Sequence, residues 1–147
     1  MVNGVPAPQG SKRHVGNGRM IENSKAVGPW REAVRAESQR VLLHTLTGRQ
    51  WLGKAQIGPV EVTIHFWMER PQGHYGTGRN ATVLRPSAPV RPACMPDLDK
   101  LVRSTLDGLV SGGAIADDKQ IVSINAHKWY AVGSRRPGCT LELSEVT

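Results

Sequence analysis

Residues 59–69, PVEVTIHFWME, alternate cleanly between apolar and polar positions, with Val60, Val62, Ile64, Phe66 and Met68 on one side. A period of two predicts a strand with one buried face. His65 falls on the other face, where a single histidine reads first as structural. Two stretches carry helical periodicity instead. Over 28–47, Trp30, Val34, Val41 and Thr45 lie near one face with Ala33 and Leu42 beside them, Pro29 suits a first turn, and Gly48 suits the residue after the end. Over 99–111, Leu101, Leu106, Leu109 and Val110 supply a buried side, Pro96 bars helix before it, Asp99 is a candidate cap, and Gly112-Gly113 ends it. Two more strands follow, 119–132 with Val122, Ile124 and Ala126 on one face, and 138–144 with Cys139, Leu141 and Leu143 on one face. Residues 3–23 are rich in Gly, Pro and basic residues and read as loop or short extended chain. The order predicts one α+β domain over residues 1–147, a small mixed β-sheet packed with two main helices.

Composition adds a direction. Hydrophobic residues make up 39% of the chain, so a core is possible but not rich. The net charge is +7, which favours polyanions, nucleic acid before anionic membrane. Lys12, Arg13, Arg19 and the pair Arg135-Arg136 are candidate phosphate contacts. Arg31 and Arg35, four apart on the first helix, face solvent or DNA. Residues 70–96 form a long Gly/Pro-rich segment, expected to be a flexible basic loop, in which Arg70, Arg79, Arg85 and Arg91 are interleaved with His74 and Tyr75. No apolar run approaches the length of a membrane span, and the N-terminal residues lack the apolar centre of a secretion signal. Cys94 and Cys139 have no ligand-like spacing, so neither a disulfide framework nor a zinc site is expected. These features lead to the expectation of a reduced, cytoplasmic protein. Gly4 to Lys12 lacks phosphate-loop spacing, and Gly76-Thr77-Gly78 is followed by no helix, so no nucleotide cofactor is expected.

The acids are placed unevenly. All five aspartates, Asp97, Asp99, Asp107, Asp117 and Asp118, fall within 97–118 of an otherwise basic chain. Asp97 and Asp99 bracket one residue, and in extended chain residues two apart project to the same side. Adjacent carboxylates repel unless a cation or proton lies between them. Asp117-Asp118 follows the second helix, and a helix and turn can return one of them to the first pair. Such oxygen donors suit Mg²⁺ or Mn²⁺. The same residues also have ordinary readings: Asp99 as a helix cap, Asp107 as an i,i+4 partner of Arg103, Asp117-Asp118 as a turn. Spacing leaves both open.

The stretch from Met95 to Tyr130, MPDLDKLVRSTLDGLVSGGAIADDKQIVSINAHKWY, resembles the signature of the RusA family of Holliday-junction resolvases: D-x-D, a helix with L-D-x-L, a D-D turn, and a strand ending in a basic residue. GVPAPQGSKR, PWREAV and RP-x-G-H-Y at 70–75 are similar to phage-type and Gram-positive members. The resemblance implies a homodimeric, Mg²⁺-dependent endodeoxyribonuclease, with Mn²⁺ as substitute, that resolves four-way DNA junctions in a bacterial or phage-infected cell. It implies Asp97, Asp99 and Asp118 as metal-binding, catalytic acids, Asp117 as a less critical neighbour, and Asp107 as structural. The chain departs from the family pattern after D-x-D. Lys100 stands where the pattern has Asn, and Arg103 where it has a catalytic Lys, so the phosphate-neutralising role is open between them. Lys128 matches a basic position on the following strand that could touch the scissile phosphate. Two other functions compete: a non-catalytic nucleic-acid-binding protein, and a branched-DNA nuclease of broader appetite, acting on flaps or forks.

Overall fold

The computed structural model describes residues 1–10, 25–52 and 58–147, together with the backbone of two short strands within 11–24. The elements run β1 (Val2–Asn3), β2 (Lys12–His14), β3 (Met20–Glu22), α1 (Val27–His44), α2 (Leu46–Leu52), β4 (Val60–Met68), α3 (Leu98–Ser111), β5 (Ile121–Tyr130) and β6 (Gly138–Glu145). Four strands form one mixed sheet in the order β1-β6-β4-β5, and β2-β3 form a separate hairpin. This is the α+β architecture with a small mixed sheet that the periodicity predicts.

β4 is central, and its alternation is realised in full: Val60, Val62, Ile64, Phe66 and Met68 are all buried and join one core with Trp30, Val34, Leu101 and Leu109 of the two long helices. Leu141 and Leu143 of β6 pack against this core on the same face, in register with Ile64 and Val62. β4 and β5 pair in parallel, so the chain must return along the sheet between them. Residues 70–96 and α3 make that return. The start of α3 therefore lies at the C-terminal end of β4 and β5, and its end lies near where β5 begins.

The two long helices meet through small residues. A side chain at Gly108 would strike Val34, with a Cβ only 2.7 Å from the Val34 Cβ, and one at Gly112 would come within 2.8 Å of the Ser38 Cβ. Two glycines one turn apart on α3 thus let α1 approach closely. The contact is sealed by Trp30, whose Nε1 donates to Thr105 Oγ1 at 3.1 Å, satisfying two buried polar groups.

Three boundaries differ from the sequence expectation. α1 stops at His44, and a second helix continues to Leu52. Thr45 breaks the first helix in extended geometry, and its Oγ1 accepts from the Gly48 amide, starting the next. Gly48 lies inside α2 because any side chain there would run into the Val41 carbonyl. The N-cap of α3 is Asp97, not Asp99. The expected apolar face of 119–132 is not uniformly buried, since Val122 is 60% and Ile124 46% exposed. β5 is an edge strand, and a register shift opposite Val60/Glu61 leaves Val122 without a partner in the register. Residues 118–120 form a 3₁₀ turn ahead of this strand.

Residues 70–96 are organised by their own hydrogen bonds. Tyr75 and Leu84 form an isolated bridge, the Arg85 amide donates to the His74 carbonyl at 2.9 Å, and Arg85 Nε donates to the Tyr75 carbonyl at 2.7 Å. Arg70 lies over the Tyr130 ring, 4.2 Å from its centroid, and donates to the Pro89 carbonyl at 3.0 Å.

Candidate active site

Asp97 is placed where the loop becomes helix. Residues 91–96 come around the β5 edge, the Met95–Pro96 bond is cis, and α3 begins at Leu98. An aspartate at an N-cap ordinarily accepts from the first-turn amides. Here its side chain makes no such bond. Its Oδ2 instead takes the Lys100 ammonium at 3.0 Å. Asp99, in the first turn of α3, is exposed. The two carboxylates together hold the Lys100 pKa above its ordinary value, chiefly through the bond to Asp97 and then through the charges of Asp97 and Asp99. The site is thus locally anionic on a basic chain, and its exposed donors are hard oxygens, which fit a divalent Mg²⁺ or Mn²⁺.

Lys128 reaches this segment from β5. Its Nζ donates to the carbonyls of Cys94 at 2.7 Å and Pro96 at 2.9 Å. The ammonium therefore grips the backbone just ahead of Asp97 instead of standing free. Tyr130, two residues on, places its hydroxyl 3.9 Å from Cys94 Sγ, and burial together with that thiol raises its pKa. Arg103 is exposed on α3 and makes no hydrogen bond or ion pair among the described residues. Lys100 is engaged and Arg103 is available, so the two candidates for the phosphate role differ in their present state.

The second pair of acids is built differently. Asp117 caps the 3₁₀ turn, accepting from the Lys119 amide at 3.0 Å and pairing with the Lys119 ammonium at 3.2 Å. These contacts, the backbone bond first, lower its pKa. Gln120 closes the turn by accepting from the amides of Ala116 and Asp117, while its Nε2 donates to the Gly58 carbonyl at 3.1 Å beside the start of β4. Asp118 is exposed next to it. The turn is not carried back to Asp97 within one chain: among the described residues, no three His, Cys, Asp or Glu side chains gather at metal-binding distance. The topology explains this. The 14 residues of α3 span about 21 Å at ~1.5 Å per residue, with Asp97 ahead of the helix and Asp118 beyond it.

Asp107 does not pair with Arg103. Its Oδ2 meets Arg31 Nη2 of α1 at 2.9 Å, and with the Gln9 amide oriented to suit both, its nitrogen donates to Asp107 and its oxygen accepts from Arg31. Arg31 thus braces the two helices rather than facing DNA. Arg35 is held by Glu32 and Gln39 on its own helix. Arg135 lies over the Trp67 ring at 3.9 Å, and Arg136 is exposed beside it. Lys12, Arg13 and Arg19 have side chains outside the described residues. Sequence reasoning named Arg91 only as one basic residue of its loop and missed its place 3.4 Å from the Trp129 centroid, because alternation alone does not say which loop crosses which face.

A small basic α+β chain with exposed acids at a helix start and at a turn has the make-up of a protein that handles polyanions. The family model described as endodeoxyribonuclease RusA matches residues 2–143, nearly the whole chain. The chain belongs to the RusA endodeoxyribonuclease family. Comparison with curated proteins finds no match. No helix among the described residues is long and apolar enough to cross a membrane.

Proposed function

We propose that the chain is a Mg²⁺-dependent endodeoxyribonuclease that resolves four-way DNA junctions as a homodimer. The observation that carries this reading is the state of Asp97: it occupies a helix N-cap, yet its carboxylate is turned to a cation instead of the helix amides. Asp97 and Asp99 would hold the metal, with Asp118 completing the set. A bound Mg²⁺ supplies a polarised phosphate and an activated water. The chain's own groups do the rest. Arg103 or Lys100 neutralises the phosphate at the cut, and Arg does so with a fork that gives up no proton at ordinary pH. Lys128 fixes the backbone from which Asp97 projects. Hydrolysis joins the water oxygen to phosphorus and breaks one bridging P–O bond, whose oxygen leaves with a proton.

The separation of the acids supports the homodimer. β5 lies at the margin of the sheet, and Val122 and Ile124 are exposed along its first half. A two-fold axis that runs two β5 strands past each other in opposite directions carries Asp118 of each copy toward the Asp97 end of the other. Two identical sites would then match the two-fold symmetry of a four-way junction.

The test is cleavage of a labelled mobile junction under a series of cations. Mg²⁺ and Mn²⁺ are expected to support cutting, and Ca²⁺ to support binding only, because its looser coordination activates water poorly. Cutting that needs no divalent ion, or that survives loss of these aspartates with zinc, would refute the proposal.

A further inference from the structure

The face of the sheet away from the helices carries a layer of rings. His65 and Trp67 of β4 and His127 and Trp129 of β5 stand opposite each other in register. The two imidazoles stack with centroids 5.1 Å apart, and the two indoles with centroids 6.1 Å apart. Internal bonds lock the layer: Trp129 Nε1 donates to His65 Nδ1 at 3.1 Å, and Trp67 Nε1 to Thr140 Oγ1 at 3.3 Å. None of these rings belongs to the buried core. Two arginines from separate loops lie over them, the Arg91 guanidinium carbon 3.4 Å from the Trp129 centroid and that of Arg135 3.9 Å from the Trp67 centroid.

A guanidinium held over an indole by cation–π attraction still carries its N–H groups around the rim of a planar fork, where they can donate to another acceptor. Neither the Arg91 nor the Arg135 guanidinium donates to an acceptor among the described residues, and both residues are exposed. The stacking thus fixes two cations without neutralising them. The positive end of the face is also the end nearer the cut. Within the strands its acids, Glu61 and Glu142, lie toward the start of β4, Glu142 opposite Thr63, while the exposed Glu69 follows the end of β4. Arg91 lies three residues before Cys94, whose carbonyl holds Lys128, and six before Asp97.

We propose that this ring-backed arginine pair is a second DNA-backbone contact, taking the phosphates of a strand that leaves the aspartate site past the C-terminal ends of β4 and β5; it rests on the nuclease reading above. Phosphate fits because the unspent donors are forked, charged and immobilised, which lowers the ordering cost of each bond. A second copy of the chain fits less well, since the guanidiniums cover the indoles and leave charge where an interface would bury apolar area.

The experiment compares the full chain with Arg91→Gln/Arg135→Gln and Arg91→Lys/Arg135→Lys double variants. Binding to a fluorescent four-way junction is measured without divalent cation over a range of salt, cleavage is measured in parallel with Mg²⁺, and subunit number by light scattering. The Gln pair is expected to weaken binding about tenfold or more and to flatten the log–log salt slope by roughly two, one per lost phosphate contact. The Lys pair, which keeps the charge, is expected to keep the slope. An unaltered slope and affinity in the Gln pair, while the parent still cuts, would overturn the contact and leave the nuclease reading standing. A change of subunit number in the Gln pair would also overturn it, marking the face as an interface between copies. A parent chain that neither binds nor cuts would remove the nuclease reading and this inference together.

Discussion

Charge placement decides what single residues do here. Asp97→Asn, Asp99→Asn and Asp118→Asn are each expected to cut junctions at least about 10³-fold more slowly, the scale of losing several kcal/mol of charge stabilisation. Binding should persist, because each change also removes repulsion of phosphate. Near-normal cutting by Asp118→Asn, read on gels, would remove it from the site. Lys128→Met is expected to slow cutting while leaving the salt slope of binding unchanged, since its ammonium holds the Cys94 and Pro96 carbonyls. A slope flatter by about one would instead mark a phosphate contact. The cysteines differ as sharply. Burial pushes the Cys139 thiol up to about 12, whereas Cys94 is exposed. The thiolate is the nucleophile, so at pH 8 one thiol per chain should react with a disulfide reagent, and the second only on unfolding. Two rapid equivalents from the native protein would contradict the burial of Cys139. The D-x-D and D-D pairs were visible as letters, but the partners were not. That Asp107 meets Arg31 rather than Arg103 depends on how two helices cross, which one helix's spacing does not contain.

Elements were most legible where one face is wholly buried. β4 alternates because its apolar side meets both helices, and its bounds fall within a residue of the periodic stretch. β5 was harder to read, because Val122 and Ile124 supply an apolar pattern that the edge of the sheet leaves exposed. The break at Thr45 was hidden for another reason: the hydroxyl bond that starts α2 is a turn device, and Gly48 reads as a terminator from sequence alone. The crossing of α1 and α3 gives the clearest prediction at this scale. Gly108→Val forces methyl groups against Val34 and should cost about 1–3 kcal/mol, lowering the melting temperature by roughly 2–4 °C per kcal/mol. A melting curve that superimposes on the parent's would mean the helices are not in contact there.

For the whole molecule, what matters is that Asp97 stands at the start of α3 and Asp118 in the turn beyond its end. On the proposed reading, a single chain lacks a complete set of acids and a pair related by two-fold symmetry would complete two. Mixing Asp97→Asn with Asp118→Asn subunits is therefore expected to restore cutting, because the mixed dimer holds one site in which both acids are intact. The restored activity should nick one strand without completing resolution. No recovery on mixing, with exchange of subunits verified by light scattering of tagged chains, would place each site within one chain. Sequence could supply the family pattern of acids but not their distance, since the topology of the return between β4 and β5 sets it.

The most direct test is product mapping on a mobile four-way junction with Mg²⁺, beside the linear duplex of the same sequence. Paired incisions are expected, symmetric across the branch and in strands of like polarity, with the duplex left whole and the Asp97→Asn variant bound to the junction without cutting it. Comparable cutting of the duplex, or a single unpaired incision at the junction by a monomer, would contradict the proposed function.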